Sequence, residues 1–230
     1  MKLPIILALD TKEIEVAEKW ILASLDKIDH FKVGLEFYLR HGAAGIDRLR
    51  QVGKFDLFLD LKLYDIPNTV KGAVESVARL EPKFLTVHAA GGVKMISEAA
   101  KALPNGSITA VTVLTSFSEQ DFHAMGQAQS IEETTKSWAN IALASGATSL
   151  VCSPFEVGSL RKLSESAVLI TPGVRLEGDD MADQVRVMSP KDALSAGANF
   201  VVVGRSLTKL WDGSDFKMRE KIDLISNTLV

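Results

Sequence analysis

The sequence predicts an α/β protein, a closed (β/α)8 barrel that takes residues 1–230 as one domain. Three observations carry that prediction. Eight short apolar runs alternate with segments of helical periodicity. The runs are near-continuous stretches of β-branched residues and leucine, the pattern of parallel strands covered on both faces. No break in composition divides the chain, and no G-x-G-x-x-G follows the first run. A regular eightfold repeat in so compact a length therefore favours the barrel over an open, doubly wound sheet.

The first strand, residues 4–10, leads to a helix at 13–25 whose apolar positions Ile14, Ala17, Ile21 and Leu25 recur at helical spacing. The second unit joins a strand at 30–34 to a helix at 36–52. The third joins 56–62 to a helix at 68–80, and Pro67 sits where a helix can begin. Strand 84–89 leads to helix 93–103, and strand 107–114 leads through a polar connection to helix 131–145. Strand 149–153 precedes helix 154–163. Strand 167–174 precedes a long loop and a short helix at 190–196, and strand 200–204 precedes the C-terminal helix. The connections 116–130 and 175–189 are too long for plain turns and are candidates for function.

Composition narrows the partners. Formal net charge is −3 with no long basic run, which argues against nucleic acid. Cys152 is the single cysteine, so a disulfide framework is excluded and a reducing compartment is expected. The apolar start of the chain is stopped by Asp10; it is too short for a signal core and has no cleavage site. No stretch is long enough to span a bilayer. The expectation is a cytoplasmic protein without membrane association.

In a barrel the functional groups gather at the C-terminal ends of the strands. In order, those ends carry Asp10, Lys32, Asp60 with Lys62, His88, Thr115 with Ser116, Ser153, Pro172 and Gly173 before Arg175, and Gly204 with Arg205. The opposite ends carry no comparable set. The densest stretch is D-L-F-L-D-L-K-L-Y-D-I-P-N-T-V at 56–70. Alternation places Asp60 and Lys62 on one face, because side chains at i and i+2 point the same way, and Asp65 follows just past the strand. A salt-bridged strand end would account for three charges in isolation. Their convergence with the other polar strand ends on one rim argues for a site.

Two lysines and two or three aspartates in one pocket form an alternating network in which each charge stabilises its neighbours. Such a network can keep a lysine protonated beside a carboxylate that repels incoming negative charge. That suits delivery of a proton to a carbanion, and not Schiff-base formation, which needs a neutral lysine. Asp60, Asp65 and His88 could ligate a metal, but Lys32 and Lys62 would repel the cation, so no metal is expected. His88 reads as a hydrogen-bonded core or rim residue. The far side of the rim suits a phosphate: Gly204 allows close backbone approach, Arg205 supplies a charged fork, and Arg175 and Gln184 in the long connection can add donors.

The stretch D-L-K-L-Y-D-I-P-N-T resembles the D-x-K-x-x-D-I-P-x-T signature of the orotidine 5'-phosphate decarboxylase family, in its bacterial short form. The likeness continues through L-A-L-D at 7–10, F-K-V-G at 31–34, V-H-A-A-G-G at 87–92, V-T-V-L-T-S at 111–116, T-P-G-V-R at 171–175 and V-V-G-R at 202–205. The resemblance implies cofactor-independent decarboxylation of orotidine 5'-monophosphate to uridine 5'-monophosphate in de novo pyrimidine biosynthesis. It implies that Lys62 protonates the C6 carbanion within a network of Lys32, Asp60, Lys62 and Asp65. Asp10 and Lys32 would hold ribose hydroxyls, Thr115 or Ser116 would lie by the pyrimidine, and Arg175, Gln184, Gly204 and Arg205 would hold the phosphate. Ile66 and Pro172 would complete the substrate contacts. The resemblance further implies a homodimer with shared sites, Asp65 and Thr69 serving the neighbouring subunit. Sugar-phosphate decarboxylases and aldolases share the D-x-K-x-x-D strand, but use magnesium and a glutamate at the end of strand two, where this chain has Lys32.

Overall fold

Eight parallel strands pair in sequence order and the last closes on the first, in a computed structural model that describes residues 2–174 and 188–229. They are β1 (Ile5–Ala8), β2 (His30–Gly34), β3 (Asp56–Leu63), β4 (Phe84–His88), β5 (Ser107–Val111), β6 (Ser149–Val151), β7 (Val168–Thr171) and β8 (Phe200–Val203). The helices are α1 (Ile14–Ser24), α2 (Leu35–Leu49), α3 (Pro67–Ala78), α4 (Gly92–Ala102), α5 (Glu119–Ala124), α6 (Ile131–Ala144), α7 (Val157–Leu163), α8 (Pro190–Ser195), α9 (Arg205–Thr208) and α10 (Phe216–Leu229). The (β/α)8 architecture expected from the apolar runs is the one observed.

The continuous apolar runs are explained by two buried layers. Ile5, Leu7, Phe31, Val33, Leu57, Leu59, Leu85 and Val87 belong to the large core shared with the helices. At alternate positions Ile6, Phe58, Phe84 and Ile170 form a second cluster that fills the barrel itself. Strands with both faces covered have no place for regular polar alternation.

Several strands are shorter than the apolar runs at their C-terminal ends. β1 stops at Ala8 and β5 at Val111, where residues 10 and 114 were expected. A single ladder bond continues past each end, from Leu9 N–H to the Lys32 carbonyl and from Thr112 N–H to that of Val151, and then the backbone leaves the sheet. The polar residues that follow are therefore the first residues of the connections. The helix expected at 36–52 breaks at Gly42, where φ is 58°. The connection at 116–130 holds α5, started by a capping box between Ser118 and Asp121, a signal that the expectation of a polar loop passed over. Among the described residues no helix is long and apolar enough to cross a membrane.

Candidate active site

The site begins with an irregularity in β3. Leu59 pairs with Leu85 and Leu63 with Val87, so Asp60, Leu61 and Lys62 together face Thr86 alone. A bulge of this kind bends a strand and re-aims its side chains. Lys62 takes a left-handed φ of 47°, uncommon for a residue with a Cβ. Its side chain turns back so that Nζ donates to both oxygens of Asp60, at 2.7 and 2.8 Å. The two side chains meet as expected, but a bulge and a left-handed residue bring them together, not regular alternation.

From Asp60 the charges continue across the barrel. Lys32, midway along β2, lies 3.5 Å from Asp60 Oδ2 and donates to Asp10 Oδ1 at 3.0 Å. The result is an unbroken series, Asp10–Lys32–Asp60–Lys62, drawn from β2, β3 and the end of β1. Gly34 makes room for it: a Cβ there would lie 3.2 Å from Lys32 Nζ and 3.4 Å from Asp10 Oδ1. F-K-V-G was legible as a motif, but its glycine had been given no role.

Burial works to raise the Asp60 pKa. The charges of Lys32 and Lys62, with hydrogen bonds from Lys62 and Thr86, outweigh it and hold the carboxyl below the usual carboxylate range. His88 is half-buried at the end of β4, and desolvation, then the charge of Lys62, lowers its pKa. A neutral imidazole there fits its expected place outside the charge network.

Asp65, Ile66 and Thr69 are brought to the same rim but not into the network. All three are exposed, and Asp65 Oδ1 accepts from the Ile66 N–H at 2.6 Å. Among the described residues, no lysine lies within ion-pair distance of Asp65. Large apolar side chains are also exposed at the starts of α2, α3 and α4: Leu35, Leu39, Tyr64, Ile66 and Val93, Leu39 by 79%.

The far half of the rim is looser. Thr115 and Ser116 are exposed beyond β5, while the nearer Thr112 donates its hydroxyl to the Val151 carbonyl at 3.1 Å. Pro172 is half-buried after β7, ahead of Gly173 with φ 79°. Gly204 joins β8 to α9, and Arg205, exposed, is the first residue of that helix. Arg175 and Gln184 lie outside the described residues. After β6, Glu156 accepts from the Ser153 N–H at 2.8 Å, and burial pushes its carboxyl up to about 7. Burial likewise pushes the Cys152 thiol up to about 12, which keeps it unreactive.

Thr86 and Glu156 are the residues that sequence reasoning passed over. Thr86 is detectable once parallel register sets L-T-V-H beside D-L-K. Glu156 leaves no local signal, because its burial is tertiary, with Thr135 of α6 beside it.

Residues 3–213 match the family described as "Orotidine 5'-phosphate decarboxylase / HUMPS family". The chain is 46% identical over 213 residues to the orotidine 5'-phosphate decarboxylase of Thermobifida fusca (strain YX), covering 92% of this chain and 91% of the relative. It is 41% identical over 214 residues to that of Fusobacterium nucleatum, covering 90% of each. Among solved structures, orotidine 5'-phosphate decarboxylase from Lactobacillus acidophilus superimposes with a TM-score of 0.83 at 32% identity, over 98% of both chains.

Proposed function

The chain belongs to the orotidine 5'-phosphate decarboxylase / HUMPS family, and we propose that it converts orotidine 5'-monophosphate to uridine 5'-monophosphate and carbon dioxide in de novo pyrimidine biosynthesis, in the cytoplasm and without a cofactor. The observation that carries this reading is the series Asp10–Lys32–Asp60–Lys62, with Lys62 at its end and its side chain 32% exposed toward the rim. Loss of carbon dioxide breaks the C6–carboxylate bond and leaves its electron pair on C6. Lys62 stabilises that pair as a cation and then gives it a proton, becoming a neutral amine that solvent reprotonates. Asp60, held ionised, crowds the departing carboxylate, while Lys32 fixes Asp60 and reaches the ribose with Asp10.

The remaining contacts follow the rim. Thr115 or Ser116 serves the pyrimidine; Gly204 and Arg205 serve the phosphate together with Arg175 and Gln184. Asp65 and Thr69 act on the site of a second copy in a homodimer, and Ile66 and Pro172 complete the substrate contacts. The apolar side chains left exposed at the starts of α2, α3 and α4 support that assembly, since exposed apolar area is a mark of an interface. Lysines flanking Asp60 on both sides disfavour a divalent cation at this point, which supports metal-free chemistry. Purified protein assayed with orotidine 5'-monophosphate in excess chelator should turn over at its full rate. No turnover, or turnover that requires added magnesium, would defeat the reading and favour a sugar-phosphate substrate.

A further inference from the structure

We propose that Thr86 is a positioning residue for the reaction, its hydroxyl fixing Lys62 and Asp60 in their working geometry; the proposal rests on the decarboxylase reading. The bulge in β3 takes the Lys62 N–H out of the regular ladder with β4. The Thr86 Oγ1 accepts that N–H at 2.8 Å and donates its own proton to Asp60 Oδ1 at 3.0 Å. The directions are forced: a backbone N–H can only donate, so the single hydroxyl proton goes to the carboxylate.

Three features make this more than a satisfied strand residue. Thr86 is fully buried, so water cannot take its place. It is β-branched, so its χ1 is restricted and the oxygen is held rigidly. Its two bonds go to the proton donor and to that donor's carboxylate partner. Lys62 is thus held at its left-handed backbone by Thr86 and at its ammonium by Asp60, which Thr86 also orients.

Thr86→Val keeps the shape and removes the hydroxyl; Thr86→Ser keeps the hydroxyl and loses a methyl. Misplacement of a catalytic group by about 1 Å costs on the order of a hundredfold in rate. Thr86→Val should therefore lower kcat by roughly 10–100-fold, while KM and the inhibition constant of uridine 5'-monophosphate stay within about threefold, since the ribose and phosphate contacts are untouched. Thr86→Ser should return kcat to within about threefold of wild type. Hydrogen exchange at the Lys62 amide reads the same contact without turnover: slow in wild type and Thr86→Ser, fast in Thr86→Val. Four results would each overturn the proposal: unchanged kcat in Thr86→Val, equal losses in both variants, nucleotide binding that weakens in step with kcat, or a Thr86→Val chain that circular dichroism shows unfolded. A wild-type protein that leaves orotidine 5'-monophosphate intact while amide exchange still follows the hydroxyl would defeat the decarboxylase reading instead. Normal wild-type turnover with neither kcat nor exchange responding would defeat the positioning role alone.

Discussion

Asp60 and Glu156 are both carboxylates withdrawn from water at the C-terminal ends of barrel strands, one on β3 and the other just after β6. Burial opposes the charge on each. Asp60 nevertheless stays below the usual range, because Lys32 and Lys62 face it and Thr86 donates to it. Glu156 receives the Ser153 N–H but no cation within ion-pair distance among the described residues, and burial pushes it up to about 7. The contrast extends to the two halves of the rim. From β1 to β4 the charged groups are locked by one another within the folded chain. From β5 to β8, Thr115, Ser116 and Arg205 stand exposed on connections, with Pro172 and Gly204 half-buried. Charges fixed in place before a ligand arrives are what electrostatic catalysis requires.

The strongest test of the locked half is Lys62→Ala. Turnover should fall by more than about a thousandfold, the scale of a lost general acid, while uridine 5'-monophosphate still binds measurably by calorimetry. Activity within tenfold of wild type would remove Lys62 from its role and dissolve the distinction between the halves.

Asp65 tests whether the lock is complete within one chain. Lys62→Ala and Asp65→Asn proteins should each be nearly inactive as homodimers. In a mixed dimer one site combines both defects, and the other takes Lys62 from one chain and Asp65 from the other. Co-refolding the two should therefore restore activity to about a quarter of wild type: random pairing makes half the dimers mixed, and half of their sites intact, given two-fold pairing. If chain exchange is verified by mass spectrometry and activity stays at the parental level, Asp65 serves its own chain.

On the looser half, Arg205→Ala should reduce kcat/KM for the phosphorylated substrate by about 2–5 kcal/mol, the range for truncating one member of a desolvated charge pair. The slow reaction of orotidine, which has no phosphate, should hardly change. Equal losses on both substrates would place Arg205 in the support of the fold or of the reacting end.

What the sequence disclosed follows the same division. The barrel was legible because eight doubly covered strands leave continuous apolar runs, and Asp10, Lys32, Asp60 and Lys62 were legible as charges within such runs or at their ends. The bulge was not: D-L-F-L-D-L-K-L reads as regular alternation, and only the pairing with β4 shows three residues facing Thr86. Nor was the exposed position of Asp65, because a residue past a strand end can turn either way. Glu156 was invisible for a different reason, since its environment is tertiary.

That hidden carboxylate gives the smallest and cleanest expected effect. Its pKa stands at about 7 in the folded protein against an ordinary 4.5. Between those values the folded protein binds more protons than the unfolded chain, so Glu156 makes stability fall as pH rises through that window. A shift of this size corresponds to a change on the order of 3 kcal/mol between pH 4 and pH 8. Asp60 works in the opposite sense, its contribution being present above the ordinary carboxylate pKa and lost only as pH falls below it, so the two do not overlap. Glu156→Gln keeps an acceptor for the Ser153 N–H and removes the titration. Urea unfolding at pH 5 and pH 8 should show the variant gaining on wild type by about 2–3 kcal/mol at the higher pH relative to the lower. Parallel pH dependence in the two proteins would mean that Glu156 is solvated like a surface carboxylate, and that burial without a cation is not what sets it apart from Asp60.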